Sequence, residues 1–148
     1  MNKKRSEILP KKVIEFIKGG RCAVMATEDK DGRPFTAIMS WLVAKDEKTI
    51  YLAVMKGSQA LANIVERKAI SLEVLGDNII YCVRGDGRVI GGEMKSTPMP
   101  TAKVEMKVSE VRDHSAPGVL FKGPTYSFAK GKEHRAVVEK AIFDELSE

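Results

Sequence analysis

The sequence predicts a mainly β protein with six antiparallel strands and short peripheral helices. Three observations carry that prediction. Short apolar runs of strand length recur through residues 21–111. Polar, glycine-containing turns separate them. Helical spacing of apolar residues is confined to three stretches. Six strands joined by turn-length links can close a small barrel, which removes exposed edges. Periodicity alone does not distinguish a barrel from a sandwich.

The first periodic stretch is Pro10–Lys18, where Val13, Phe16 and Ile17 fall at i, i+3 and i+4 beside Ile14. Pro10 suits a first helical turn and Gly19-Gly20 suits a stop, so a short amphipathic helix is expected. Cys22–Thr27 is an apolar run compatible with a strand buried on both faces. Asp29-Lys30-Asp31-Gly32 is a hairpin signal. Phe35–Val43 follows as one strand, with Thr36, Ile38, Ser40 and Leu42 on one face. Phe35, Ala37, Met39, Trp41 and Val43 lie on the other. Lys45–Lys48 is a polar tip, and Thr49–Met55 is the third strand of an antiparallel meander.

Ser58 is a good N-cap for a helix running to about Arg67, with Leu61, Ile64 and Val65 on its apolar face. Ala69–Leu75 returns to strand. Asn78–Ile90 is a long strand in which Gly85 and Gly87 mark a bulge or close backbone approach. Thr101–Val111 alternates: Ala102, Val104, Met106 and Val108 inward, Lys103, Glu105 and Lys107 outward. Residues 112–130 are irregular. A last helix spans about Lys132–Leu146, with Val138, Ala141, Ile142 and Leu146 as its stripe.

The 148 residues suit one domain, residues 1–148, with no repeat or linker. No apolar run approaches the ~20 residues of a membrane span. No apolar signal core follows the basic start, so a cytoplasmic location and no membrane partner are expected. The basic cluster Asn2–Arg5 reads as a solvated terminus. Cys22 and Cys82 read as buried reduced thiols. His114 and His134 have no local ligand pattern, so no metal site is expected. A net charge of +5 permits phosphate-bearing partners without demanding them. The second and third strands lack the aromatic and basic interleaving of a nucleic-acid platform, so none is expected.

No Ser-His-Asp or Cys-His grouping can be argued from the sequence, no P-loop or dinucleotide glycine fingerprint is present, and no catalytic residue is assigned. Arg84-Gly85-Asp86-Gly87 reads as strand and bulge. The feature able to carry chemistry is Val54-Met55-Lys56-Gly57-Ser58-Gln59, a strand end leading into a capped helix. Free amides at a helix N-terminus attract phosphate, Lys56 adds charge, and Gly57 permits close approach. A plain strand-to-helix turn capped by Ser58 is the alternative.

The ordered set of these pieces resembles the FMN-binding split-barrel family, which includes pyridoxamine 5′-phosphate oxidase and small bacterial FMN-binding proteins. It comprises the Cys22–Thr27 strand, the Asp31-Gly32-Arg33-Pro34 turn, Thr36–Trp41 and the strand ending in Ala53-Val54. The Ser58–Asn63 helix start, Leu75-Gly76 and Val83-Arg84-Gly85 complete it. It covers roughly residues 8–111. The resemblance implies a six-stranded antiparallel split β-barrel that binds FMN at a homodimer interface. It places Thr36, Ile38, Met39, Ser40, Ala53, Val54 and Met55 along the flavin. Lys56, Ser58 and Gln59 fall at its phosphate, and Trp41 falls near the ring, across the interface or in the core. Family members commonly carry Arg, Lys or Thr just after the position of Ser58, whereas this chain has Gln59-Ala60. Losing one such charged hydrogen bond costs about 1.5–3 kcal/mol, roughly ten- to a hundredfold in affinity. The expected function is that of a flavin-dependent oxidoreductase acting on a small molecule. The alternatives are a non-enzymatic flavin carrier or electron relay, or a barrel adapted to haem or a deazaflavin. Haem would need His114 or His134 as its axial ligand.

Overall fold

The computed structural model describes residues 5–148; the residues of the basic cluster before Arg5 lie outside it. The chain forms β1 (Arg5–Ser6), α1 (Lys11–Phe16), β2 (Ala23–Glu28), β3 (Pro34–Met39), β4 (Leu42–Asp46) and β5 (Thr49–Met55). Then follow α2 (Gln59–Arg67), β6 (Ala69–Gly76), β7 (Ile79–Ile90), β8 (Thr101–Asp113) and α3 (Arg135–Ser147). All pairings are antiparallel, in the order β3-β2-β6-β7-β8-β5-β4, with β1 against β8.

The strand count corrects the expected six to eight. The expected strand Phe35–Val43 is two strands, β3 and β4, which pair with different neighbours. Met39 pairs with Ala23 of β2, while Leu42 pairs with Leu52 of β5. β3 and β4 are the two ends of the sheet order, yet only Ser40 and Trp41 separate them. The sheet therefore returns on itself through one bent strand, which is how it becomes a split barrel. The expected three-strand meander is correspondingly two hairpins that share this bend. The other added strand, β1, ties Arg5 to Glu110 at 3.0 Å, so Arg5 is no loose terminal charge.

Alternating side chains fill the barrel. Met25, Leu42, Ile50, Leu52, Ile70, Leu72, Val83, Val104 and Met106 are fully buried, joined by Val13 and Ile17 near α1 and Ile64 of α2. β2 buries one face rather than two: Ala23, Met25 and Thr27 are inside, while Val24 is exposed. On β7 the register shifts between Arg84 and Gly85, the bulge expected there. A Cβ on Gly85 would meet the Lys107 carbonyl oxygen at 2.0 Å, and one on Gly87 would meet Ile70 Cδ1 at 2.5 Å. On β8, Glu105 is also buried, because Arg88 covers it at 3.0 Å.

A second core lies outside the barrel. Val43, Tyr51 and Ala53 face outward and are covered by Ile142 and Leu146 of α3. Ala141, expected on that stripe, is exposed, and Val138 is 36% exposed. Likewise Val65 of α2 is exposed, and its place on the buried face is taken by Asn63. Cys22 and Cys82 are free thiols, half-buried rather than buried.

Candidate cofactor site

The end of β5 and the start of α2 form one wall of an open cavity of about 340 Å³; β3 and its bend form the other. It is lined by Phe35, Ala37, Ile38, Met39, Ser40 and Trp41 on one side and by Ala53, Val54, Met55, Ser58, Gln59 and Ala60 on the other. The bend creates this space. β3 leaves the barrel along β2 while β4 stays beside β5, and the gap between them opens over the α2 N-terminus.

The local chemistry at that N-terminus is defined. Ser58 Oγ accepts from the Leu61 amide at 3.1 Å and donates to the Met55 carbonyl at 2.7 Å. The capping expected of Ser58 is present. The Gln59 and Ala60 amides, in the first turn, have no intrahelical acceptor. Gly57 has φ +82°, and a Cβ there would meet nothing, so the backbone is open to a close neighbour. Gln59 is held by a polar chain: its Nε2 donates to Asn63 Oδ1 at 2.7 Å, and Asn63 Nδ2 donates to Thr27 Oγ1 at 3.0 Å. Asn63 is buried, so this chain anchors the helix start to β2.

Of the residues singled out in the sequence, Ile38, Met39, Ser40, Ala53, Val54, Met55, Ser58 and Gln59 converge on the cavity. Thr36 and Lys56 do not line it. Thr36 is exposed on β3 opposite Ala26, and Lys56 Nζ pairs with Glu93 Oε1 at 3.1 Å. The alternation expected along Phe35–Val43 places Phe35 and Ala37 on the opposite face from Ile38, whereas all three line the cavity beside the strand break. Glu93, the counter-charge of Lys56, lies in the 91–100 loop and carried no local signal.

Trp41 and Ser40 also line a second cavity, of about 500 Å³, bounded by α3, by Pro98 and Met99, and by Tyr126 and Phe128. Glu139 organises it. Trp41 Nε1 donates to Glu139 Oε2 at 3.3 Å, and Tyr126 Oη donates to Glu139 Oε1 at 2.7 Å. Burial, then the hydrogen bond to Glu139, pushes the Tyr126 phenol far up, so it stays a donor throughout the physiological range. Burial, then the Glu139 charge, likewise raises the Cys22 thiol. His114 is remote from this arrangement and pairs with Glu73 at 3.0 Å. Among the described residues no cluster of three or more His, Cys, Asp or Glu could hold a metal, and no helix is long and apolar enough to cross a membrane.

Apolar walls, two free amides and a carboxamide suit a planar cofactor with an anionic tail. That donor set and the barrel that presents it agree with a family match. Residues 9–115 match the family model of pyridoxamine 5′-phosphate oxidase, and the chain belongs to that family.

Over 116 residues the chain is 32% identical to an aminomethyltransferase of Nostoc sp. (strain PCC 7120), covering 66% of this chain but 31% of that protein. The chain thus spans about a third of that relative. Among solved structures, a pyridoxamine 5′-phosphate oxidase candidate from Lactobacillus delbrueckii superposes with TM-score 0.63 at 19% identity, covering 75% of this chain and 98% of that one. HupZ of Group A Streptococcus gives TM-score 0.63 at 16% identity, covering 78% and 99%. An F420 reductase gives TM-score 0.56 at 14% identity, covering 70% and 98%. At these identities the structures share the fold with this chain, and their ligands remain their own.

Proposed function

We propose that the protein binds FMN in the cavity between β3 and the β5–α2 junction and acts as a flavin-dependent oxidoreductase on a small molecule. The observation that carries this is the open α2 N-terminus facing an apolar, aromatic-edged cavity. The Gln59 and Ala60 amides and the Gln59 carboxamide would hold the phosphate, and Ser58, its hydroxyl committed to the Met55 carbonyl, would keep those amides in place. Ala53, Val54 and Met55 would line one side of the ring system, and Ile38, Met39 and Ser40 the other. The bound flavin would supply hydride or electron transfer. The protein's own part is to orient the ring, exclude water with Trp41 and Met55, and present backbone groups from the end of β5.

The same reading makes the protein a homodimer. Val24, Phe35, Ile38 and Met55 are exposed, Ile38 by 75%, and β3 is a sheet edge beside the cavity. A second copy over this patch would cover the flavin.

One observation favours a second reading. Lys56 is paired with Glu93, and Gln59-Ala60 brings no cation to the phosphate. A cofactor with a differently placed anionic tail, such as a deazaflavin, would lose little at this site, and an F420 reductase shares the fold.

Purification tests the proposal. Protein that is yellow and releases FMN on denaturation supports it. Colourless protein that FMN neither stabilises against heat nor quenches at Trp41 contradicts it. Replacing FMN by F420 in the same titration separates the two readings.

A further inference from the structure

We propose that the cavity between α3 and the β3–β4 bend is the substrate site, and that it takes a planar, apolar molecule carrying one anionic group. The proposal rests on the flavin reading for its role, and on the cavity itself for its ligand.

At about 500 Å³ the cavity falls within the range of small-molecule sites. Its walls are mainly apolar and aromatic: Trp41, Met99, Tyr126, Phe128, Val138 and Ile142. Tyr126 and Phe128 meet edge to face, with ring centroids 6.2 Å apart, which fixes two walls of a slot. Ser40 and Trp41 line this cavity and the cofactor cavity alike, so occupants of the two would meet at the bend.

Charge selects the ligand. Glu139 is an acid on the wall, but each of its oxygens already accepts a hydrogen bond, from Trp41 and Tyr126. Arg135 also lines the cavity, at the first turn of α3, and forms no ion pair with any described residue. Both donors to Glu139 are neutral, so its charge persists on the wall, and Arg135 is the guanidinium at the rim left without an ion pair among the described residues. A carboxylate or similar anion on the ligand would pair with Arg135 while its ring enters the aromatic slot.

The test is calorimetric titration of FMN-saturated protein with 2-naphthoate and with its neutral analogue 2-naphthamide. The expected result is that both bind and that naphthoate binds about threefold or more tightly, as for a partly exposed ion pair. Arg135→Gln should erase that preference, and Val138→Trp should block both ligands. FMN affinity should be unchanged in each variant. Met99→Trp gives a second way to fill the cavity if Val138→Trp does not fold.

Absence of naphthoate binding, or a preference that survives Arg135→Gln, overturns the proposal. Displacement of naphthoate by FMN overturns it too, because the two cavities would then be one site. If FMN does not bind but the naphthoate pattern holds, the flavin reading fails and the ligand site stands.

Discussion

The indole N–H of Trp41 donates to Glu139 Oε2 at 3.3 Å, joining the bend between β3 and β4 to the C-terminal helix. The second oxygen of the same carboxylate takes the Tyr126 hydroxyl. One side chain of α3 thus holds both the barrel's turning point and the irregular segment that precedes the helix. Glu139→Ala should cost about 1–3 kcal/mol, because it leaves two half-buried donors without their acceptor. Urea denaturation measures this, and Glu139→Gln, which keeps an acceptor, should recover part of the loss.

Lys56 and Glu93 neutralise each other at the edge of the proposed phosphate site. Removing the acid should free the lysine for an anion. Glu93→Gln is expected to tighten FMN binding about two- to fivefold, as for an exposed pair. Lys56→Ala should have a small effect in the native background and a larger one beside Glu93→Gln. Fluorescence titration of the four proteins in a double-mutant cycle checks this.

Asn63 is buried inside the α2–β2 contact, with Gln59 on one side and Thr27 on the other. Asn63→Leu would remove the acceptor of Gln59 and the donor to Thr27 together. A loss of about 1–3 kcal/mol is expected. Gln59 would then be free to turn from the cavity, so FMN affinity should fall along with stability. Thermal melting and FMN titration of the same variant read the two effects separately.

Much of this architecture is legible in the sequence because it depends on local chemistry. The strands from Ala23 to Asp113 follow from apolar alternation and turn residues. The Ser58 cap and the Gly85 bulge follow from single residue types in a defined context. What was not legible depends on contacts distant in sequence. The break at Ser40-Trp41 leaves no trace in the pattern, because alternation of side chains continues through a bend. Asn63 does not look like a buried residue until Thr27, 36 positions away, is opposite it. Much of the wall of the β3–β5 cavity is legible in the sequence through β5 and Ser58, but the second cavity needed α3 to be placed against the bend.

Acid should loosen α3 before the barrel. Burial alone would raise the Glu145 carboxyl, but hydrogen bonds from the Ser96 side chain and from the Lys95 and Ser96 amides outweigh it and hold it below the ordinary 4.5. A carboxylate with a depressed folded-state pKa contributes stability above its unfolded value. It loses that stability as pH falls through the folded one. The urea midpoint should therefore drop as pH falls below about 4.5, and drop less in Glu145→Gln. Glu110 and Asp29 are also held low, so the difference between the two proteins, not the wild-type curve alone, reports Glu145.

In the proposed complex the open N-terminus of α2 holds the phosphate of a flavin lying in the β3–β5 cavity. Titrating FMN and riboflavin side by side, with the fluorescence of the single tryptophan Trp41 as the signal, tests it most directly. FMN should quench Trp41 and bind about tenfold or more tightly than riboflavin, as for one charge-assisted hydrogen bond. Ser58→Ala should narrow that gap. Equal affinity for the two flavins, or no quenching by either, would contradict the claim.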